Sequence, residues 1–189
     1  DNKNYIKHGA IGIWEARPLY YKKLDNTRNN RLHKFHPEIL LKDYPQSLYI
    51  DSNINIISNY IFNTIKQRNQ NLLVPEHFKN KCIYEEYKDI LRYGYDKRKL
   101  VKKELEFIRN AGMPENFGAA EAGVLYRKHH SPEIIQMANL WSEMIIKYSK
   151  RDQLAFPFVL WKLGIPLKDC LLKNLRTAVY DFFLFSHRK

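Results

Sequence analysis

Between Pro45 and Ser58 the chain reads Ser47-Leu48-Tyr49-Ile50-Asp51-Ser52-Asn53-Ile54-Asn55-Ile56-Ile57, an apolar run that stops at an acidic residue and resumes as alternating polar and apolar positions. This is the pattern of a buried strand that emerges at Asp51 and continues half-exposed. A buried strand needs cover on both faces, and the segments around it supply helical periodicity. Leu32, Phe35, Ile39 and Leu40 recur at helical spacing from Asn29 to Leu41, and Lys42-Asp43-Tyr44-Pro45 ends that element.

Farther along, residues 58–70 predict a short helix and Leu72 to Val74 a strand. Asn80 to Arg109 predicts one or two helices broken near Tyr93-Gly94-Tyr95, and Ala111-Gly112-Met113-Pro114 a turn. Ala119 to Tyr126 is a second buried strand. Ser131-Pro132-Glu133 starts a helix running to about Tyr148, since Ser can cap and Pro suits the first helical position, and Arg151 to Leu163 forms another. Near the start, Ala10 to Trp14 can be a short strand. Strands alternating with helices predict one α/β domain over residues 1–189 with a partly parallel sheet.

Composition bounds the function classes. The chain has 189 residues, 44% of them hydrophobic, which is enough for a real core and excludes disordered and collagen-like classes. It carries 32 Lys+Arg against 20 Asp+Glu, a formal net charge of +12. That excess calls for a polyanion, a membrane surface, a phosphate-binding pocket, or nothing beyond solubility. It is spread over most of the chain, with only residues 51–78 and 110–127 lacking it, whereas nucleic-acid binders concentrate charge in a stripe or arm. Nucleic acid is therefore not the expected partner. Cys82 and Cys170 are too few for a disulfide framework or zinc site, which points to a reducing, cytoplasmic setting. No apolar run approaches the ~18 residues of a membrane span. The chain opens on Asp1 rather than Met, so the expectation is that upstream sequence is absent or removed.

Ligands of open α/β sheets bind beyond the carboxyl ends of strands, so Asp51, Ser52 and Asn53 belong at a crevice rim. Asp and Asn two apart can both offer oxygens to one hard cation; unassisted, the same pair opens and caps a turn. Asp152, with Gln153, sits at a helix start, where Asp is ordinarily a cap. Glu121 lies among small residues that let a backbone or ligand come close, or merely pack. Glu85 and Glu86 are adjacent and point about 100° apart on a helix, which makes no acid/base pair. His129-His130 reads as solvated surface. There is no G-x-G-x-x-G, G-x-x-x-x-G-K-[ST], G-x-S-x-G, H-E-x-x-H or C-x-x-C.

Taken in order, the motifs resemble a known family. They are Asn30-Arg31-Leu32-His33-Lys34, Tyr49-Ile50-Asp51-Ser52-Asn53-Ile54, His77 through Cys82-Ile83-Tyr84-Glu85-Glu86, and Gly112-Met113-Pro114. Glu121 through His129, Trp141-Ser142-Glu143, Ser149-Lys150-Arg151-Asp152-Gln153-Leu154-Ala155-Phe156 and Val159-Leu160-Trp161-Lys162 follow. Over roughly residues 28–163 the chain resembles the TOD1/MUCI70 glycosyltransferase-like domain, and more widely the glycogenin and lipopolysaccharide galactosyltransferase group.

The resemblance implies a GT-A-like, Rossmann-related fold with a mixed, mostly parallel sheet flanked by helices. The family's N-terminal strand, with T-x-x-F-G-x-Y-D-like and F-T-D-like segments, is missing here, so the domain would be N-terminally truncated. The implied activity moves a hexose from a nucleotide-diphosphate sugar, a UDP-sugar first, to a glycan acceptor, as in surface polysaccharide synthesis; a non-catalytic carbohydrate- or nucleotide-binding module is the alternative. By the same resemblance Asp51 and Asn53 hold Mn²⁺ or Mg²⁺ against the diphosphate, and His187 falls where the wider group has a metal-binding His. Arg31, Lys34, Asp51 and Arg151 bind the donor, while Asp152, Gln153 and Glu121 face the donor sugar and acceptor as the catalytic set. The remaining basic charge would serve solubility, an anionic acceptor or peripheral contact with a membrane. A cation with Arg and Lys at the phosphates suits this chemistry, because negative charge grows on the leaving diphosphate in the transition state.

Overall fold

The computed structural model describes residues 7–186, and strands and helices alternate along it. A short hairpin comes first, Ala10–Ile11 (β1) against Trp14–Glu15 (β2). The periodicity that reads as one helix over 29–41 is divided into Asn26–Phe35 (α1) and Pro37–Leu40 (α2). Pro37 has no N–H to continue the first helix and its fixed φ suits the start of the second. Strand Ser47–Ile50 (β3) stops at Asp51, and Ile54 N–H donates to the Asp51 carbonyl at 2.9 Å, closing a turn before Ile54–Ile56 (β4). Then come Tyr60–Arg68 (α3), Leu72–Pro75 (β5), Ile83–Tyr93 (α4), Arg98–Asn110 (α5), Val124–Arg127 (β6) and Pro132–Lys147 (α6). Asp152–Lys162 (α7), Leu167–Cys170 (α8), Leu171–Leu172 (β7) and Phe182–Leu184 (β8) follow.

The central sheet has the order β3-β6-β5-β7. β6 is antiparallel to both β3 and β5, and only β5 and β7 pair in parallel. This corrects the expectation of a mostly parallel sheet. The crossover through α3 does leave β3 and β5 pointing the same way, as alternation implied, but β6 enters between them in the opposite direction. Hydrophobic patterning fixes which faces of a strand are buried, not its direction, so the sequence could not reveal this.

Side chains alternate between two cores. Tyr49, Leu72, Val74 and Leu125 face the larger one, built with α1, α4, α6 and α7; there Trp141 stacks between Phe35 and Phe156 at centroid distances of 4.0 and 4.4 Å. Leu73, Val124 and Tyr126 face a smaller one with Ile61 of α3 and the ribbon formed by β4 and β8. Being covered on both sides, β5 and β6 are buried along their whole length.

His129, expected on the solvated surface, is instead fully buried, with Nδ1 3.1 Å from Ser47 Oγ. It lies two residues past the end of β6, whose course carries it inside. Among the described residues no helix is long and apolar enough to cross a membrane, and Cys82 and Cys170 are free and buried.

Candidate functional site

The antiparallel entry of β6 decides where the site forms, because the carboxyl ends of β3 and β5 meet the start of β6 at one end of the sheet. Asp51 N–H donates to Gly123 O at 2.8 Å, Glu121 N–H to Pro75 O at 2.9 Å, and His77 N–H to Ala119 O at 3.2 Å. A cavity of about 1010 Å³ opens there. Its walls include Arg31, Lys34, Asp51, Asn53, Glu121, Arg151, Asp152 and Gln153, every candidate residue except His187, which lies outside the described residues.

Asp51 is fixed by its neighbours. Tyr49 hydroxyl donates to Asp51 Oδ1 at 2.6 Å, and burial followed by the Asp51 charge pushes the Tyr49 hydroxyl pKa well above its ordinary value. On the other side, a Cβ on Gly123 would lie 3.2 Å from Asp51 Oδ2 and 2.9 Å from Ile54 Cδ1. Glycine at 123 is therefore what lets the carboxylate lie against the backbone of the next strand.

Asp152 is more than a helix cap. It is the first residue of α7, buried, and α1 brings two cations to it at i and i+3. Lys34 Nζ donates to Oδ2 at 2.6 Å, and Arg31 Nε lies 3.2 Å from Oδ1. Burial alone would raise the Asp152 pKa, but the charges of Lys34 and then Arg31 outweigh it and hold the carboxyl below its usual range. Trp141 Nε1–H donates to the Asp152 carbonyl at 2.9 Å, and Lys34 Nζ stands 4.9 Å from the Tyr49 ring centroid. The two ends of the site, Asp51 and Asp152, are thus linked through Tyr49 and Lys34. Pro157 inside α7 has no N–H for the carbonyl one turn back, which is that of Gln153.

Glu121 is also buried. Its Oε1 accepts from Phe78 N–H at 3.4 Å and lies 3.9 Å from Arg176 Nε; burial raises its pKa, with Arg176 opposing. Beyond it, His77 Nδ1 accepts from Asn80 N–H at 2.8 Å, so Nε2 carries the proton and faces Glu86 Oε2 at 3.4 Å.

Asp51 and Asn53, the pair expected to hold a cation, both line the cavity. Asn53 Nδ2 donates to Phe185 O at 3.4 Å, and Phe185 N–H donates to Asn53 O at 2.8 Å. Among the described residues no three His, Cys, Asp or Glu side chains are grouped to hold a metal ion. One carboxylate and one amide do not make a closed protein cage, but they fit a hard cation that completes its shell with water and substrate phosphate oxygens.

Several wall residues carried no signal of their own. Tyr93 and Tyr95 showed only as a helix break, Arg176 lay in a segment without clear periodicity, and His77 belonged to a motif without a role. A glycine between two tyrosines was the one usable cue, since a left-handed residue at a helix end turns its neighbours to a common side.

The family of the TOD1/MUCI70, glycosyltransferase-like domain matches residues 1–183. No curated protein and no solved structure matches the chain. The family match spans the first hairpin, the cavity-lining residues up to Arg176 and most of the β4/β8 ribbon, well beyond the 28–163 stretch that carries the recognisable motifs. The chain therefore belongs to the TOD1/MUCI70 glycosyltransferase-like domain family.

Proposed function

We propose that this domain is a nucleotide-sugar-dependent glycosyltransferase of GT-A-like build, which moves a hexose from a nucleoside-diphosphate sugar, a UDP-sugar first, to a glycan acceptor. One observation carries the reading: residues from six separate stretches of sequence, around Arg31, Asp51, His77 to Tyr95, Glu121, Asp152 and Arg176, line a single cavity at the carboxyl ends of β3 and β5. Its volume, about 1010 Å³, is at the upper end for small-molecule sites and suits a nucleotide sugar with part of an acceptor.

The roles follow from charge and burial. Asp51 and Asn53 would hold Mn²⁺ or Mg²⁺, whose chemistry is to neutralise charge on the leaving diphosphate. Arg31 and Arg151, both beside Asp152, line the cavity and suit phosphate oxygens as planar, permanently charged donors. Lys34 has its ammonium engaged by Asp152, so it acts by fixing that carboxylate. Asp152, kept ionised, can accept hydrogen bonds from sugar hydroxyls, with Gln153 beside it. Glu121, whose carboxyl burial raises above its ordinary pKa against the opposing charge of Arg176, is the carboxyl of the set best placed to hold or pass a proton. The excess basic charge outside the cavity suits an anionic surface such as a polysaccharide or the cytoplasmic face of a membrane.

The test is titration calorimetry of UDP with Mn²⁺ followed by a donor-hydrolysis assay, on wild type and Asp51→Ala. The reading expects Mn²⁺-dependent binding and slow hydrolysis, both lost in Asp51→Ala while the melting temperature is kept. Binding without turnover on any UDP-hexose would favour a non-catalytic binding module, a reading supported by the neutral amide at Asn53. No binding at all would remove both.

A further inference from the structure

The domain fills two cores with aromatic and aliphatic side chains, yet keeps Tyr93 and Tyr95 54% and 56% exposed on the wall of the polar cavity. Leaving half of such a ring in water forgoes roughly 1 kcal/mol of burial. Their placement is built rather than incidental. Gly94, the C-cap of α4, adopts φ +68°, and both its N–H and that of Tyr95 donate to Ile90 O, at 3.0 and 3.3 Å. The left-handed residue between them brings the two rings to a centroid distance of 5.6 Å with 31° between their planes.

The next residue ties this turn to the chemistry. Asp96 accepts from Ser149 Oγ at 2.6 Å and from Lys150 N–H at 2.9 Å, anchoring the tyrosine turn to the segment that leads into Arg151 and Asp152. Arg151 then lies over the Tyr95 ring at 5.6 Å. Two tilted, half-exposed tyrosine rings, each with one guanidinium beside it (Arg92 at Tyr93, 5.5 Å from the ring centroid, and Arg151 at Tyr95), thus line the cavity together with the Asp152 carboxylate at its wall. A pyranose has an apolar C–H face and a polar edge, and this combination meets both.

We infer that the Tyr93–Tyr95 turn is a stacking platform for a pyranose ring of the glycan acceptor, an inference that rests on the glycosyltransferase reading of the same cavity. The acceptor is favoured over the donor because a glycan chain must run out into solvent, where these rings stand, while the donor diphosphate must reach the half-buried Asp51.

The test measures binding of hexasaccharides of glucose, mannose, galactose and xylose to the wild-type domain, to Tyr93→Ala/Tyr95→Ala and to Tyr93→Phe/Tyr95→Phe, with UDP and Mn²⁺ titrated in parallel. The expected result is that at least one hexasaccharide binds wild type, weakens at least tenfold in the double alanine variant and stays within threefold in the double phenylalanine variant. UDP affinity should change less than twofold in either. Failure of all four hexasaccharides to bind wild type, unchanged binding in the alanine variant, or a tenfold loss of UDP affinity there would each overturn the proposal, the last by assigning the platform to the nucleobase. Hexasaccharide binding that needs the tyrosines without any UDP binding would keep the platform and refute the donor reading instead.

Discussion

Lys34 and Asp152 stand 118 residues apart in the sequence and meet as a buried ion pair, Nζ to Oδ2 at 2.6 Å. The pair fastens α1 to the start of α7 and sets the orientation of the carboxylate at one end of the cavity. Removing Asp152 leaves the buried Lys34 charge without its carboxylate, and removing Lys34 leaves the buried Asp152 with Arg31 alone, so either loss costs more than the pair stabilises. Lys34→Met and Asp152→Asn are each expected to lower unfolding free energy by about 3 kcal/mol. The double variant Lys34→Met/Asp152→Asn should cost clearly less than their sum. Urea denaturation of the four proteins checks this, and additive effects would contradict it.

Glu104 of α5 is fully buried and accepts from Ser149 N–H at 3.2 Å. Burial pushes its carboxyl up from 4.5 to about 8, opposed by the Ser149 N–H and the Tyr87 hydroxyl. Between those values the folded state binds the proton and the unfolded state does not, so stability contributed by this group falls as pH rises from 4.5 to 8 and is flat above. The full swing is on the order of 5 kcal/mol. Glu104→Gln should flatten the wild-type decline in urea midpoint between pH 5 and pH 8; parallel slopes in the two proteins would count against it.

Gly123 keeps its place through contact rather than backbone strain, since an added methyl would meet Ile54 Cδ1 at 2.9 Å and Asp51 Oδ2 at 3.2 Å. Gly123→Ala should cost about 1–2 kcal/mol of stability. Because the Asp51 carboxylate must move, Mn²⁺-dependent UDP affinity should fall at least tenfold, more than the small stability loss explains. Unchanged UDP affinity in a variant of reduced melting temperature would separate Gly123 from the binding site.

Tyr49→Phe keeps the packing of the ring and removes only the hydroxyl that donates to Asp51 Oδ1. Without that donor the carboxylate is freer to rotate, and UDP affinity with Mn²⁺ should drop about three- to tenfold while the melting temperature moves by only a few degrees. Calorimetry beside a thermal melt distinguishes this from a general loss of fold.

Part of the cavity wall, Asp51, Glu121 and Asp152 among it, was legible before its arrangement was, whereas Tyr93, Tyr95 and Arg176 were not. The apolar run into Asp51 marked a strand end, and the structure puts Asp51 at the edge of the cavity while also confirming the turn that the Asp-x-Asn spacing allows. Helices 132–147 and 152–162 were readable from Ser131-Pro132 and from the apolar spacing after Arg151. The direction of β6 was not, because a strand buried on both faces has the same pattern in either sense. Asp152 shows the deeper limit: local spacing made it a cap, whereas its partners come from α1, and only the packing of α1 on α6 and of α6 on α7 brings Lys34 within reach. His129 failed for the same reason, its burial being set by the strand before it rather than by its charged neighbours.

The central claim is that this cavity holds a nucleoside diphosphate with a cation at Asp51. A crystal of the domain soaked with UDP and Mn²⁺ tests it most directly. The account predicts anomalous density for one Mn²⁺ at about 2.1–2.2 Å from an Asp51 oxygen, bridged to the diphosphate, with Arg31 or Arg151 on a phosphate oxygen. UDP ordered elsewhere, or a cavity that stays free of nucleotide at millimolar UDP and Mn²⁺, would contradict it.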